Sequence, residues 1–371
     1  MPYEHRTMEY GMSSLSTTNT TSFSDRYGRL LPGLLLSGVI AWGAIQLGKL
    51  EWMQNHGMSA LTLAIMLGIV LGNSVYGRLA PSCGAGVAFS KQTLLRLGII
   101  LYGFRLTFQD IGQVGLAGIA IDALVLASTF GLAMFLGIKV FKLERNSAIL
   151  IGAGSSICGA AAVMATEPVV KGRSEDVTVA VSTVVVFGTI AIFLYPLLYQ
   201  LNQGWHVLAA TPTAFGVYIG STVHEVAQVV AAGKSIGQET ANAAVIAKMV
   251  RVMMLAPFLV ILSAVLARGK AQGGNGGHDK AAKLAIPWFT FIFIAAVAFN
   301  SLGLLPATTV AAITEFDTAL LAMAMAALGL TTHMSAIRRA GIKPLLLAGL
   351  LFCWLIAGGA AINHMVASLF A

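Results

Sequence analysis

The sequence predicts an all-α polytopic membrane protein, built as one extra helix followed by a 5+5 inverted repeat. Three observations lead to this fold class: the composition, the number of long apolar segments, and short motifs that recur five segments apart. The chain has 371 residues, of which 57% are hydrophobic and only 10% are charged. Soluble domains carry about 25% charged residues, so the composition excludes a soluble globular domain and a disordered chain.

Residues 1–28 are polar and rich in Ser and Thr, and they contain neither the apolar core nor the cleavage site of a signal peptide. We expect a disordered cytoplasmic tail there. The cysteines Cys83, Cys158 and Cys353 form no CxxC or Cys/His cluster, so no metal or other cofactor is predicted. The net charge of +8 comes from basic residues at the ends of apolar segments. This placement indicates orientation in a membrane and not binding of nucleic acid.

Eleven apolar segments are long enough to cross a bilayer, at about 20 residues per crossing. They lie near residues 30–48, 58–76, 88–107, 113–138, 147–165, 177–199, 211–232, 240–267, 284–303, 308–332 and 342–369. Residues 29–50 form the extra helix, 51–200 the first half, and 201–371 the second half. A Gly-rich cytoplasmic linker is predicted at 268–283, within the second half.

The distribution of Lys and Arg predicts the orientation of these segments. If the N-terminus is cytoplasmic, fourteen Lys and Arg residues fall in inside regions and four in outside loops. Those four are Lys49, Lys171, Arg173 and Lys234. Positive charge concentrates on the cytoplasmic side of membrane proteins, so we expect a cytoplasmic N-terminus and a C-terminus on the opposite side.

Three motif matches, each five segments apart, predict the two inverted halves. They pair Leu67–Val75 with Phe215–Val223, Leu94–Leu101 with Met249–Ala256, and Gly152–Cys158 with Leu328–Met334. The second match places Arg96 on Arg251. An odd offset puts the halves in opposite orientations, a plan that secondary transporters use to hold substrate near mid-membrane.

The fifth segment contains three glycines and two serines near its centre, within Ile151–Gly159. Glycine weakens a helix by about 1 kcal/mol relative to alanine, and serine is a frequent N-cap. We therefore expect a break near Gly152–Gly154, with Ser155 and Ser156 capping a second half-helix. Close packing of small residues between helices is the alternative interpretation.

The exposed N–H groups of such a cap form a candidate anion site at the positive end of a helix. The candidate binding residues in the fifth segment are Gly154, Ser155 and Ser156. Thr331 and Thr332 are the candidate counterparts in the tenth segment, where the two discontinuous helices are expected to cross near mid-membrane.

Arg96, Lys248 and Arg251 lie well inside apolar segments. A charge there costs at least ~2.5–3.5 kcal/mol, so these side chains should face the protein interior. Arginine forks suit oxyanions, and we assign all three residues to substrate binding. Pairing with the buried acids Asp122 and Glu225 is the alternative, which the sequence leaves open. Two other basic residues, Lys91 and Arg105, lie nearer the segment ends and are expected to snorkel to the interface.

The seventh segment contains Gly-Ser-Thr-Val-His-Glu at positions 220–225. Ser221 and Thr222 are candidates for capping a half-helix and binding substrate. His224 and Glu225, together with Asp122, are candidates for ion coupling, because titratable groups inside membranes commonly serve proton relays. A lasting ion pair of Glu225 with a nearby base is the alternative.

An anion channel is the main alternative function, because rings of charge would also suit a pore. An intramembrane enzyme is the remoter alternative. The pair His224 and Glu225 lacks the second histidine of HExxH, and Ser155 with His224 would need a nucleophile–base geometry that the sequence does not show. We predict that the protein is not an enzyme.

At these motifs the sequence resembles the sulfate exporter family, the YeiH-like inner-membrane proteins of bacteria. The matching stretches are Gly103–Phe108, Gly154–Val163, Pro168–Val170, Gly220–Gly233, Lys248–Pro257 and Leu328–Ile337. The five-plus-five plan also resembles the sodium/bile-acid symporter fold.

The family resemblance implies a secondary active transporter of sulfate, sulfite or a sulfonate in the bacterial inner membrane, with a periplasmic C-terminus. Alternating access and coupling to H+ or Na+ are expected. The predicted partners are the small anionic substrate and the lipid bilayer, with no nucleic acid, and a homodimer is left open.

Overall fold

The computed structural model describes residues 23–55, 59–205, 211–271, 288–332 and 341–370, and its regular structure there is entirely helical. The predicted tail (1–28) lies outside these ranges up to residue 22, and the predicted linker (268–283) lies outside them from residue 272. Residues 23–28 and 268–271 are helical instead, as parts of the first helix and of the helix that ends at Ala271. The described helices, in chain order, are α1 (Phe23–Leu47), α2 (Glu51–Asn55), α3 (Ala60–Ser74), α4 (Tyr76–Phe89), α5 (Leu95–Tyr102), α6 (Phe108–Phe135), α7 (Arg145–Ser156), α8 (Ala160–Val170), α9 (Ser174–Trp205), α10 (Pro212–Thr222), α11 (Val226–Ile236), α12 (Gln238–Met253), α13 (Leu255–Ala271), α14 (Trp288–Ser301), α15 (Ala307–Leu330) and α16 (Ile342–Phe370).

Short tighter or wider turns extend several of these helices. A π-helical turn, Ser90–Leu94, joins α4 to α5, and a 3-10 turn, Gly103–Arg105, follows α5. Six helical stretches in the described residues are long and apolar enough to cross a membrane. The prediction of an all-helical polytopic membrane protein is confirmed, whereas the inverted halves and the symporter-like fold stay predictions.

The predicted fifth crossing folds instead as a helical hairpin of α7 and α8, called hairpin A. Nη2 of Arg173, just after α8, lies 3.1 Å from Oε2 of Glu144, just before α7. A continuous helix would hold these residues about 40 Å apart. Similarly, a Cβ atom added at Gly172 would lie 2.9 Å from Leu150 of α7. The chain therefore reverses at residues 157–159.

The predicted seventh crossing is also a hairpin, formed by α10 and α11 and called hairpin B. The hydroxyl of Thr213, at the start of α10, donates to Oε1 of Glu239, at the start of α12, over 2.5 Å. Further along, a Cβ atom at Gly220 would lie 2.3 Å from the carbonyl oxygen of Ala244. Because α10 and α12 run in the same direction, α11 must run back between them. The tip of hairpin B is residues 223–225.

Hairpins A and B lie end to end along α9. Near the start of α9, Asp176 accepts a hydrogen bond of 2.6 Å from Ser147 at the base of hairpin A. Near its end, Tyr199 packs against Phe215 at the base of hairpin B, with ring centroids 5.0 Å apart. The two hairpins therefore enter from opposite ends of α9, and their tips meet near its middle.

Candidate functional site

Lys248 of α12 joins the tips of the two hairpins. Its Nζ atom lies 2.7 Å from the carbonyl oxygen of Ile157 in hairpin A and 2.7 Å from that of Val223 in hairpin B. The side chain is fully buried. Carbonyl groups at the C-terminal end of a helix lack partners within the helix and carry its negative dipole end. A cation between two such ends satisfies both.

Arg251 lies one turn further along α12 and makes the same kind of link. Its Nε atom donates to the carbonyl of Ser156 over 2.7 Å, and Nη2 donates to that of Ser155 over 3.3 Å. Its Nη1 atom donates to the carbonyl of Ser221 in hairpin B. Lys248 and Arg251 lie three residues apart in α12 and share one face of the helix. Both bind backbone carbonyls, and in the described residues neither donates to Asp122 or Glu225.

Glu225 lies at the N-terminal ends of α8 and α11, which carry the positive end of the helix dipole. Its Oε1 atom accepts the backbone N–H of Ala160, the first residue of α8, over 3.3 Å. Its own backbone N–H donates to Oε1 of Gln228 over 3.0 Å and so caps α11. Carboxylates stabilise helix N-termini and cations stabilise C-termini. At the hairpin tips, cations therefore lie at the C-terminal helix ends and a carboxylate lies at the N-terminal helix ends.

The predicted position of the break in the fifth segment is wrong by about one turn. Residues 152–154 are helical within α7, which ends at Ser156, and the N-cap of α8 is Gly159. Ser155 and Ser156 thus end the first half-helix and do not cap the second. Burial and the bonds from Arg251 outweigh the low helix propensity of glycine at this place.

The alternative interpretation, close packing of small residues, fits the glycines of α7. A Cβ atom at Gly152 would lie 2.9 Å from the Cβ of Ala133, and one at Gly154 would lie 2.8 Å from Val163. The reversal itself depends on Gly159, whose φ of +72° lies in the region that favours glycine.

Several buried polar atoms around Lys248 and Arg251 have no hydrogen-bond partner in the described part of the chain. They are Oγ of Ser156, Nδ1 of His224, and both carboxylate oxygens of Asp122. Asp122, on α6, lies within Coulombic range of Arg251 and Lys248. The large majority of buried side-chain polar atoms in proteins are paired, so these unpaired atoms are candidates for binding a ligand or water.

Ser221 and Thr222 use their hydroxyl groups within α10. Both donate to the carbonyl of Tyr218, over 3.1 Å and 2.5 Å, respectively. Asn363 of α16 also donates to Oγ of Ser221 over 3.2 Å. These two residues close the end of α10, so the expectation that they cap the following half-helix is wrong.

Thr331 and Thr332 lie at the end of α15, which packs on α3, and not in the hairpin tips. The carbonyl of Thr332 accepts a hydrogen bond of 2.9 Å from Asn73 at the end of α3. Thr331 accepts one of 3.2 Å from Nζ of Lys91, which is also within Coulombic range of Glu225. The expectation that Lys91 only snorkels to the interface is therefore wrong.

Arg96 is exposed on α5, so the expectation that it faces the interior is wrong. The side of this helical stretch that faces α15 carries Lys91, Gly98 and Arg105, which bind or approach residues of α15. Residues seven apart share a helix face, whereas Arg96 is two positions from Gly98 and points away. The structure does not bring Arg96 next to Arg251.

A second polar cluster, which the sequence reasoning missed, lies between α5, α15 and hairpin B. Nε of Arg105 lies 2.8 Å from Oδ2 of the fully buried Asp317. Arg105 and Lys234 also flank the ring of Tyr102, at 5.3 Å and 5.9 Å from its centroid. The hydroxyl of Tyr102 donates to Asn242 of α12 over 3.1 Å. The available signal was Asp317, an acid inside an apolar segment.

Comparisons with known proteins find relatives that are named as membrane proteins. A family model described as conserved hypothetical protein 698 matches residues 32–348. The UPF0324 membrane protein of Pseudomonas aeruginosa is 64% identical over 337 residues, which are 91% of this chain and 94% of that protein. The UPF0324 inner membrane protein YeiH of Escherichia coli K12 is 59% identical over 341 residues, or 92% and 95%. The relative from Yersinia pestis is 58% identical over 338 residues, or 91% and 93%.

The apolar helices and the buried charged centre define the class of the molecule, an integral membrane protein with two helical hairpins. Within that class, the chain belongs to the YeiH-like UPF0324 family of membrane proteins. The resemblance seen in the sequence motifs is confirmed.

Proposed function

We propose that the protein is a secondary active transporter that moves a small oxyanion, such as sulfate, sulfite or a sulfonate, across the bacterial inner membrane by alternating access. The observation that carries this proposal is the meeting of two hairpin tips at Lys248. Non-helical backbone inside a membrane is tolerated only where it is buried in protein or lines a polar cavity. Interrupted helices that meet at mid-membrane are a recurring substrate site of transporters.

The unpaired atoms of Ser156, His224 and Asp122 support an anion site beside Lys248 and Arg251. A serine hydroxyl and the N–H group of an imidazole can both donate to an oxyanion. The substrate would lie against these groups while the two cations keep their bonds to the carbonyls. Gly154, Ser155, Ser221 and Thr222 would then shape the site through their backbone. Arg96, Thr331 and Thr332 lie outside it, and we no longer assign them to the substrate.

The charge balance at the centre supports coupling to protons. Lys248 and Arg251 are offset by Asp122 and Glu225, so the four groups sum to zero when all are ionised. An entering anion adds uncompensated negative charge in a region where such charge is costly. Uptake of a proton on Asp122, His224 or Glu225 restores the balance.

The two hairpins support an inverted repeat, but its two units are shorter than the five-segment halves and have different residue bounds. We propose that hairpin A with α9, residues 145–205, repeats as hairpin B with α12 and α13, residues 212–271. Gly154–Val163 aligns without gaps on Gly220–Val229. The bonds at the two hairpin bases correspond as well, because each joins the first turn of a hairpin to an acid at the start of the next long helix. Hairpins that enter from opposite ends of α9 have opposite orientations.

Hairpin A also supports the cytoplasmic N-terminus. A hairpin returns to the side from which it entered, so Lys171 and Arg173 move from the outside to the inside set. The balance then becomes sixteen inside (14 plus 2) against two outside (4 minus 2), namely Lys49 and Lys234. This bias is stronger than that of eleven plain crossings. It supports a cytoplasmic base for hairpin A and a periplasmic base for hairpin B.

Uptake of radiolabelled sulfate into proteoliposomes tests the proposed function. We expect uptake that follows an imposed pH gradient, and loss of at least tenfold in rate for Ser156→Ala. The Oγ atom of Ser156 has no partner in the described residues, so its removal should leave the fold intact. The matched control is Ser182→Ala, whose hydroxyl only bonds back to Thr178 in α9.

Absence of uptake of sulfate, sulfite and methanesulfonate by folded protein would overturn the proposal. Equal rates for Ser156→Ala and the wild type would show that the site lies elsewhere. Currents in planar bilayers far above carrier turnover would establish the alternative function, an anion channel.

A further inference from the structure

Glu225 is the acidic contact between the two hairpins. Its carboxylate reaches from the tip of hairpin B to the first N–H group of α8 in hairpin A, over 3.3 Å. It also packs on the backbone of Gly159, where an added Cβ atom would lie 2.4 Å from Cγ of Glu225. Glu225 is only partly buried, unlike Lys248 and Arg251, which are fully buried. Of these three charged side chains that link the hairpins, Glu225 is thus the one that can most easily move away from its partner.

We propose that Glu225 is a tethered anion, whose carboxylate holds the N-terminal end of α8 until a substrate oxyanion takes its place and the hairpin tips separate. The identity of the replacing anion rests on the proposed function, whereas the link between the tips does not. A carboxylate and a sulfonate or sulfate group present the same kind of oxygen acceptors to a helix N-terminus. The side chain therefore occupies a site that fits the substrate.

The two hairpin tips also contain buried polar atoms that Glu225 does not bind. Oγ of Ser156 and Nδ1 of His224 are buried in the two tips and have no partner in the described residues. Glu225 thus leaves these groups unpaired. A tetrahedral oxyanion has more acceptor oxygens than a carboxylate and can accept from the N–H of Ala160 and from one of these groups together.

The charged and titratable groups that face Glu225 come from three neighbouring elements. They are Lys91 of the π-helical turn, Lys248 of α12, and the thiol of Cys158 in hairpin A. The two cations favour the ionised carboxylate. A proton on Glu225 removes that attraction and weakens its hold on α8. Entry of a monoanion together with one proton on Glu225 leaves the total charge of the centre unchanged, and entry of a dianion such as sulfate makes it one unit more negative.

Cys158 provides a native reporter of tip separation, because it lies beside Gly159 and is 5% exposed. In a Cys83→Ala/Cys353→Ala background it is the only cysteine left of three. We measure its rate of labelling by a maleimide in detergent, at one fixed pH. Glu225→Gln should raise the rate about tenfold, as expected when one charge-assisted bond is lost. The control Glu315→Gln changes an exposed acid on α15 and should have no effect.

Glu225→Asp provides a second variant in case the glutamine variant does not fold. It keeps the charge but shortens the side chain, so it should lose the contact with Ala160 and also label faster. Unchanged labelling of Cys158 in Glu225→Gln or in Glu225→Asp would overturn the tethered anion, even if the protein transports sulfate.

Sulfate binding by calorimetry tests the replacement step. Binding to the wild type should weaken as the pH rises, because the ionised carboxylate competes with the anion. Glu225→Gln should bind sulfate more tightly and with much less dependence on pH. Equal pH dependence in both proteins would overturn the competition. A different result is faster labelling of Cys158 in the variants together with no binding of sulfate, sulfite or methanesulfonate. It would keep the link between the tips but reject the proposed substrate class and the replacement of the Glu225 carboxylate by such an anion.

Discussion

The ammonium nitrogen of Lys248 lies 2.7 Å from the carbonyl oxygen of Ile157, so a side chain of α12 holds the tip of hairpin A. The same nitrogen binds the carbonyl of Val223 in hairpin B at 2.7 Å. One residue therefore fixes the position of both tips. This arrangement makes the geometry of the centre sensitive to a change at a single residue.

Lys248→Met removes two charge-assisted hydrogen bonds and leaves two buried carbonyls without a partner. Bonds to charged groups contribute about 1.5–3 kcal/mol each, so we expect the free energy of unfolding to fall by about 3 kcal/mol. The measurement is the thermal unfolding midpoint in detergent. Lys139→Met, which changes an exposed lysine at the end of α6, serves as control. Equal midpoints for Lys248→Met and the wild type would show that the tips are held by other contacts.

Hairpin A can be tested by cross-linking its base. Glu144 and Arg173 form a salt bridge of 3.1 Å. Cysteines at both positions, in a background without native cysteines, should be joined by a flexible bismaleimide cross-linker and react with a membrane-impermeant maleimide from the same side. The single variants Glu144→Cys and Arg173→Cys are the controls. Labelling of the two positions from opposite sides would mean that α7 and α8 cross the membrane as one element.

Gly188→Ala should destabilise the tip of hairpin B. A Cβ atom there would lie 2.0 Å from Oε1 of Gln228, the atom that accepts the N–H of Glu225. Overpacking of this kind costs about 1–3 kcal/mol, which a lower unfolding midpoint would report. Gly131→Ala is the matched control, because no heavy atom lies within 4 Å of an added Cβ atom in α6. It should be neutral or stabilising. Similar midpoints for the two variants would contradict this close approach.

The ion pair of Arg105 and Asp317 should show strong non-additivity. Its atoms are 2.8 Å apart, and the side chains are 15% and 0% exposed. Removing one partner of a buried pair costs about 3–5 kcal/mol, because it leaves the other charge unpaired, whereas apolar replacement of both is often far less damaging. We expect Arg105→Met/Asp317→Leu to unfold at a higher temperature than either single variant. Additive losses across these proteins would show that the two residues act independently.

Composition and segment hydropathy were sufficient to predict the membrane class and the positions of most helices. A break in the fifth segment and a half-helix cap in the seventh were also predicted, because Gly, Ser and Thr weaken a helix. The discontinuous helices expected to cross were those of the fifth and tenth segments, however, and the tenth is continuous from Ala307 to Leu330. The reversal of the chain was not recognised. Two helices of 11 or 12 residues joined by three others have the length of one crossing, so hydropathy cannot separate the two folds.

Two signals in the sequence did point to the hairpins. Lys171 and Arg173 fell in a loop assigned to the outside, against the usual charge bias. Gly154–Val163 also aligns without gaps on Gly220–Val229, a closer match than the five-segment offset. The roles of Lys248 and Arg251 had no such signal. Their partners are backbone carbonyls brought together only by the fold, and sequence reasoning considered only charged partners for them.

The placement of the hairpins has a consequence for the thickness of the barrier between the two sides of the membrane. A helix of 11 residues, such as α8 or α10, is about 16 Å long, roughly half of a hydrocarbon layer of about 30 Å. Neither hairpin alone seals its part of the bilayer. Between the two hairpin tips lies only the layer of side chains around Lys248, and the proposed alternating access would require a rearrangement within this layer alone.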